Sequence, residues 1–162
     1  MARIFAIESS NVTLLEETGR KFMAGIFTLS RIYPDTLPAL EELRRRGYRI
    51  GIVSNTPWGS SPNLWREELH RLGLVDLVDA AIFCGDVGWR KPAEPIFHRA
   101  LQRLGATARE TLFVGDDPHW DIAGPQRIGM QAALIDRLGR PGNFDGASIR
   151  SLDQVPALAA SL

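Results

Sequence analysis

The sequence predicts an α/β protein, a Rossmann-like three-layer sandwich with a mostly parallel sheet, on three observations. From Arg44 onward short apolar runs alternate with amphipathic stretches of helical period, the pattern of βα units. Polar clusters follow three of those runs, so they would share one edge of the sheet, where open α/β folds place their ligands. The chain has 162 residues, enough for one domain with a workable core, and no repeat, low-complexity stretch or linker divides it. One domain over 1–162 is the expectation.

At the front, RIFAI (3–7) reads as a strand, and Thr13 with Glu16 as a capping box opening a helix that carries Leu14, Phe22, Met23, Ile26 and Phe27. From Asp35 to Arg46, Leu37, Leu40 and Leu43 share a helical face, Pro38 sits in the first turn, and Gly47 stops the helix. YRIGIVS (48–54) then reads as a buried strand. Ser61 and Pro62 suit the cap and first position of a helix bearing Leu64, Trp65, Leu69 and Leu72, closed by Gly73. AAIFC (80–84) is the next strand. Ile96, Phe97, Ala100, Leu101 and Leu104 line one face of a helix from about Ala93 to Leu104, and Gly105 ends it before the strand TLFVG. A short helix and the strand QAALI complete the series. Residues 137–150 are rich in Gly, Arg and Asn and read as loop before a short helix near Asp153.

Charge and composition exclude several classes. Nineteen Lys and Arg balance nineteen Asp and Glu, so no global field favours nucleic acid or an acidic membrane surface. No apolar run reaches the ~18–20 residues needed to span a bilayer, and MARIFAIESS lacks the features of a signal peptide. A single cysteine, Cys84, allows no internal disulfide and points to a reducing compartment; a soluble cytoplasmic protein is expected. Cys84 itself reads as a small core residue.

The three polar clusters carry the chemistry. Ser54 and Asn55 end a strand and offer a hydroxyl and amides to a phosphate oxygen. Lys91, fixed ahead of a helix by Pro92, is placed to neutralise a phosphoryl group. Asp116, Asp117 and Asp121 in GDDPHWD crowd carboxylates into one loop, which calls for a cation, and hard oxygen ligands suit magnesium. Taken singly, these read equally well as a strand-end turn, a solvated lysine and a helix-cap cluster. His119 and Trp120 read as loop packing, His70 and His98 as surface, and Trp58 and Trp89 as neighbours in two loops that either pack together or form a lid.

In this order the clusters resemble the haloacid dehalogenase superfamily over roughly Tyr33 to Asp136. YPDTLPALEELRRRGYRIGIVSN is similar to the segment ending in its second motif, RKPAEPIF to its third and VGDDPHWDIAGPQRIGM to its fourth. The resemblance implies a magnesium-dependent phosphatase acting on a small phosphorylated metabolite, with Ser54 and Lys91 on the phosphate, Asp116 as direct metal ligand, Asp121 supporting the metal and Asp117 a further ligand. Signalling receiver domains use similar residues, but there the acidic pair comes first and the lysine last.

The resemblance also implies an aspartate nucleophile on the first strand, with a second aspartate two residues on as acid and base. Upstream of Ser54 the sequence has only Asp35, which reads as a helix cap, and no DxD. Two alignments stay open. In one, IFAIESS is the first strand, with Ala6 at the nucleophile position and Glu8 at the catalytic acid/base position. In the other, residues 11–33 are the end of a helical cap and the first strand is missing. Either implies weak or absent turnover, leaving a non-catalytic phosphate- or partner-binding protein, or a fragment of a longer phosphatase, as alternatives. An open strand edge would recruit a second copy, so a homodimer is expected.

Overall fold

The computed structural model describes residues 12–57, 60–139, 144 and 146–161. Helix α1 (Val12–Leu29) and helix α2 (Thr36–Arg45) lead into strand β1 (Gly51–Ser54). Helix α3 (Pro62–Arg71), strand β2 (Ala80–Phe83), the single turn α4 (Cys84–Val87) and helix α5 (Glu94–Leu104) follow. Then come strand β3 (Leu112–Gly115), a π-helical turn over Pro118–Ala123, α6 (Gly124–Arg127), β4 (Gln131–Ile135), β5 (Ala147–Ile149) and α7 (Val155–Ala160). Every strand pairing is parallel, as the βα pattern requires.

The capping signals in the sequence act locally as expected. Ser61 accepts the Asn63 N–H at the start of α3, Pro62 takes the first helical position, and Gly105 closes α5 at φ 58°. Three readings change. Thr13 lies inside α1 and is not its cap. Cys84 opens α4 and does not end β2. The stretch taken for loop contains β5, whose Ala147, Ser148 and Ile149 align with Ala133, Leu134 and Ile135; three residues are too few to show a period. The segment RIFAI, with Ala6 and Glu8, lies outside the described residues, as does Trp58.

The described strands form two groups, β1 beside β2 and β3 beside β4 and β5. Helix α5 spans them. Its Ile96, Phe97, Ala100 and Leu101 are buried with Ile82, Cys84 and Met130, against Val53 of β1 and Phe113 of β3. Phe97 and Phe113 meet edge to face at 5.3 Å between ring centroids. Between β1 and β3 lies a cavity of about 850 Å³, walled by α2 and α7 residues such as Leu40, Leu43 and Val155 and by Leu104 of α5. Helix α1 rests on α3: Phe27 meets Trp65 edge to face at 5.2 Å, Arg20 pairs with Glu67, and the buried Glu68 binds Ser30 and Arg71. Met23 is fully buried, while Ile26 and Leu29 of the same helix stay exposed.

Asp35 stands at the cap position of α2 but makes no cap hydrogen bond there. Its carboxylate instead accepts two bonds from Arg137 at 2.8 and 3.1 Å, one from the Ser151 hydroxyl and one from the Leu152 N–H, both at 2.7 Å. Arg137 also stacks 3.8 Å above the Tyr33 ring. One side chain thereby fastens the start of α2 to the segments after β4 and β5. Hydrogen bonding from Arg137 holds the Asp35 carboxyl well below the usual carboxylate range, outweighing the opposite pull of burial, with Ser151 and Leu152 adding to it. A depressed folded-state pKa stabilises above the unfolded value of ~3.9 and loses that contribution as pH falls below it. Asp35→Ala should therefore lower the unfolding free energy by about 2–4 kcal/mol in urea titrations at pH 7, and the gap between variant and wild type should shrink from about pH 4 downward.

Candidate active site

The three clusters meet at the carboxyl ends of β1 and β3, where Lys91, Asp116 and Asp121 line the cavity. Asn55, just past β1, grips the main chain of Lys91 twice: its Oδ1 accepts the Lys91 N–H at 2.8 Å and its Nδ2 donates to the Lys91 carbonyl at 3.2 Å. The Lys91–Pro92 peptide is cis. Neighbouring Arg90 donates to the Thr56 carbonyl at 2.9 Å, which fixes the loop after β1 from the other side. Thr56 is itself buried, with its N–H on the Cys84 sulfur at 3.2 Å.

Held in this way, Lys91 crosses the mouth. Its Nζ lies 2.7 Å from Asp121 Oδ1, and the two side chains are only 12% and 6% exposed. The contact departs from hydrogen-bond angles, so Oδ1 is held by charge alone, while Oδ2 accepts the N–H groups of Asp116 and Asp117 at 3.2 and 3.3 Å. Lys91 also lies 5.6 Å from the centre of the Phe113 ring. Gly115 makes room for this arrangement: a Cβ there would stand 2.3–2.5 Å from Asp121 side-chain atoms.

Lys91, Asn55, Asp116 and Asp121 are therefore brought together. Asp117 is turned away, its Oδ1 capping the π-helical turn through the N–H groups of His119 and Trp120, both at 2.8 Å. Ser54 ends β1, and among the described residues its hydroxyl makes only a 3.5 Å approach to the Asn55 carbonyl, too long to hold it. Trp89 and Trp120 are exposed, as are His70 and His98.

The magnesium implied by the resemblance finds an incomplete set of ligands here. Among the described residues no three His, Cys, Asp or Glu side chains gather to hold a metal ion. Asp117 serves as a cap, and both Asp121 oxygens are committed to Lys91 and the main chain. Asp116 lines the same cavity.

Arg90, Thr56 and Gly115 carry parts of this site that sequence reasoning did not single out. Only the glycine left a signal, as a small residue directly before the aspartates. Removing one partner of a buried ion pair leaves the other charge stranded, at a cost of about 3–5 kcal/mol. Lys91→Met should show a loss of that size in chemical denaturation, and adding Asp121→Asn should recover part of it.

Comparison with known proteins agrees with this geometry. A family model described as haloacid dehalogenase-like hydrolase matches residues 7–129. The chain is 36% identical over 110 residues to a glyceraldehyde 3-phosphate phosphatase of Methanothermobacter thermautotrophicus, covering 68% of this chain and 47% of that protein. It is 34% identical over 110 residues to a phosphoserine phosphatase of Thermus thermophilus, covering 68% and 43%. A solved HAD phosphatase from Thermococcus onnurineus superimposes with a TM-score of 0.73 at 34% identity, covering 97% of this chain and 67% of the other. The chain thus spans about half the length of the curated relatives it matches. With a family model matching most of the chain and relatives more than 30% identical over two thirds of it, the chain belongs to the haloacid dehalogenase-like hydrolase family.

Proposed function

We propose that this chain is a phosphohydrolase-type domain that binds small phosphate esters at the mouth between β1 and β3 and turns them over weakly or not at all. The observation that carries the reading is the Lys91 ammonium, largely buried and held beside the cavity by Asn55 and Asp121. A preorganised cation in a water-poor site is worth more to a phosphoryl group than one in solvent. Ser54 supports the same reading, with a hydroxyl at the end of β1 that makes no close hydrogen bond among the described residues. The relatives named as phosphatases of glyceraldehyde 3-phosphate and phosphoserine suggest the substrate class, a small phosphorylated metabolite.

Weak turnover follows from the carboxylates. The one aspartate before Ser54 is Asp35, and it is bound by Arg137, Ser151 and Leu152. Asp121 faces Lys91 and Asp117 caps a helical turn, so neither is set as an attacking carboxylate. Losing a covalent nucleophile commonly costs several orders of magnitude in rate, while binding and electrostatic terms persist. Magnesium, when bound, would be held at the loop of Asp116, which lines the cavity.

Inorganic phosphate should raise the thermal midpoint of the wild-type chain, with about 1.4 kcal/mol of stabilisation at tenfold its Kd. Ser54→Ala should fold normally and show a smaller shift. Hydrolysis of small phosphate esters with magnesium should fall orders of magnitude below the common 1–10³ s⁻¹. A wild-type midpoint indifferent to phosphate would overturn the binding reading, and ordinary turnover would overturn the inactive one.

A further inference from the structure

Strand β2 is bonded on one side only: among the described residues its ladder partner is β1 alone. Ala80 donates toward β1, to the Ile50 carbonyl at 3.3 Å, so alternation along the strand turns the N–H groups of Ala81 and Phe83 outward. The Phe83 N–H is taken by the Asp86 carboxylate at 2.9 Å, which closes the edge at its carboxyl end. Beside Ala81 runs a cavity of about 420 Å³, lined also by Ala80 and Ile82. Its occupant would meet the outward N–H and carbonyl of Ala81.

The walls of this groove differ in character. The crossover through α3 leads outward from β1 to β2, and the one through α5 leads back past β1 to β3. Right-handed crossovers that run in opposite directions place their helices on opposite faces of the sheet, so α3 and α5 flank the edge from either side. Leu69 comes from α3, joined by Val75 and Val78 of the segment leading into β2, whereas α5 contributes Arg99 and Arg103, one helical turn apart. The other charges here are already matched. Arg66 binds both Asp86 oxygens at 2.8 Å, and Asp79 accepts the Ile50 N–H at 2.7 Å and lies 3.5 Å from Arg44. Arg99 donates to the neutral Gln102, and neither Arg99 nor Arg103 pairs with a carboxylate among the described residues.

We propose that the open edge of β2 binds an extended acidic segment of a partner protein, which adds to the sheet as a further strand with its carboxylates on Arg99 and Arg103. A backbone edge calls for a backbone partner, and a bare anion would leave the Ala81 groups and the apolar wall unused. Alternate side chains of a strand face opposite ways, so acidic and apolar residues in alternation meet the guanidiniums with one set and Leu69 with the other. A second copy of this chain fits poorly. Two-fold pairing of β2 with its counterpart would bring Arg99 and Arg103 toward the same two arginines across the axis, and like charges so opposed repel. The inference concerns the strand edge and does not rest on the proposed function.

Titrating the isotope-labelled intact chain with the end-blocked peptide Glu-Val-Glu-Val-Glu-Val, read by amide chemical shifts, tests this. Saturable shifts should centre on residues 79–83 and 99–103, and the Lys-Val counterpart should produce none. Arg99→Gln with Arg103→Gln should weaken binding by about 10-fold or more, and both side chains are exposed, so the fold should be kept. A peptide N-methylated at every residue should lose at least as much, because it cannot donate to an edge. No saturable shift up to millimolar peptide, equal binding of the Lys-Val peptide, or binding that the double variant leaves unchanged would overturn the proposal. Binding insensitive to N-methylation, or matched by free glutamate, would reveal an anion site without an added strand and would overturn it too. A double variant that self-associates while the wild type ignores the peptide would show that the arginines only keep β2 edges apart, which also refutes docking.

Discussion

A largely buried ammonium, that of Lys91, joins the loop after β1 to the loop after β3. Lys91 is gripped through its main chain by Asn55 at the end of β1 and through its side chain by Asp121 after β3. Neither strand bonds the other among the described residues, so this bridge and the apolar face of α5 are what span the cavity at its mouth and along its length. A buried charge without its partner is costly, which makes the position of Lys91 obligatory rather than optional. The same constraint explains Gly115, since a side chain there would occupy the space of Asp121.

Much of the fold is legible in the sequence because its signals are local. Gly105, Ser61 with Pro62, and the spacing of Ile96, Phe97, Ala100 and Leu101 each act within a few residues, and the structure places the corresponding elements within a residue or two of expectation. The order of polar clusters after apolar runs sufficed to bring Asn55, Lys91, Asp116 and Asp121 to one edge, because parallel βα units present their strand ends together.

What sequence reasoning misses is long-range or depends on which rotamer wins. Asp35 looks like a helix cap, and its true partners are more than 100 residues away in sequence, on Arg137, Ser151 and Leu152. Asn55 reads as a phosphate donor, whereas its side-chain amide is spent on the Lys91 main chain. Nothing in GDDPHWD tells which carboxylate is buried against a cation and which caps a turn; that division is settled by Pro118 opening a helical turn behind Asp117 and by the space Gly115 leaves for Asp121.

Asn55 and Asp121 act on one object, Lys91, between the ends of β1 and β3. A double-mutant cycle with Asn55→Ala and Asp121→Asn, read by urea unfolding, measures this most directly. Residues that share a partner couple by about 0.5–3 kcal/mol, and a coupling in that range is the predicted result. Additive effects within about 0.3–0.5 kcal/mol would show that the two ends of the bridge are independent and would contradict the account.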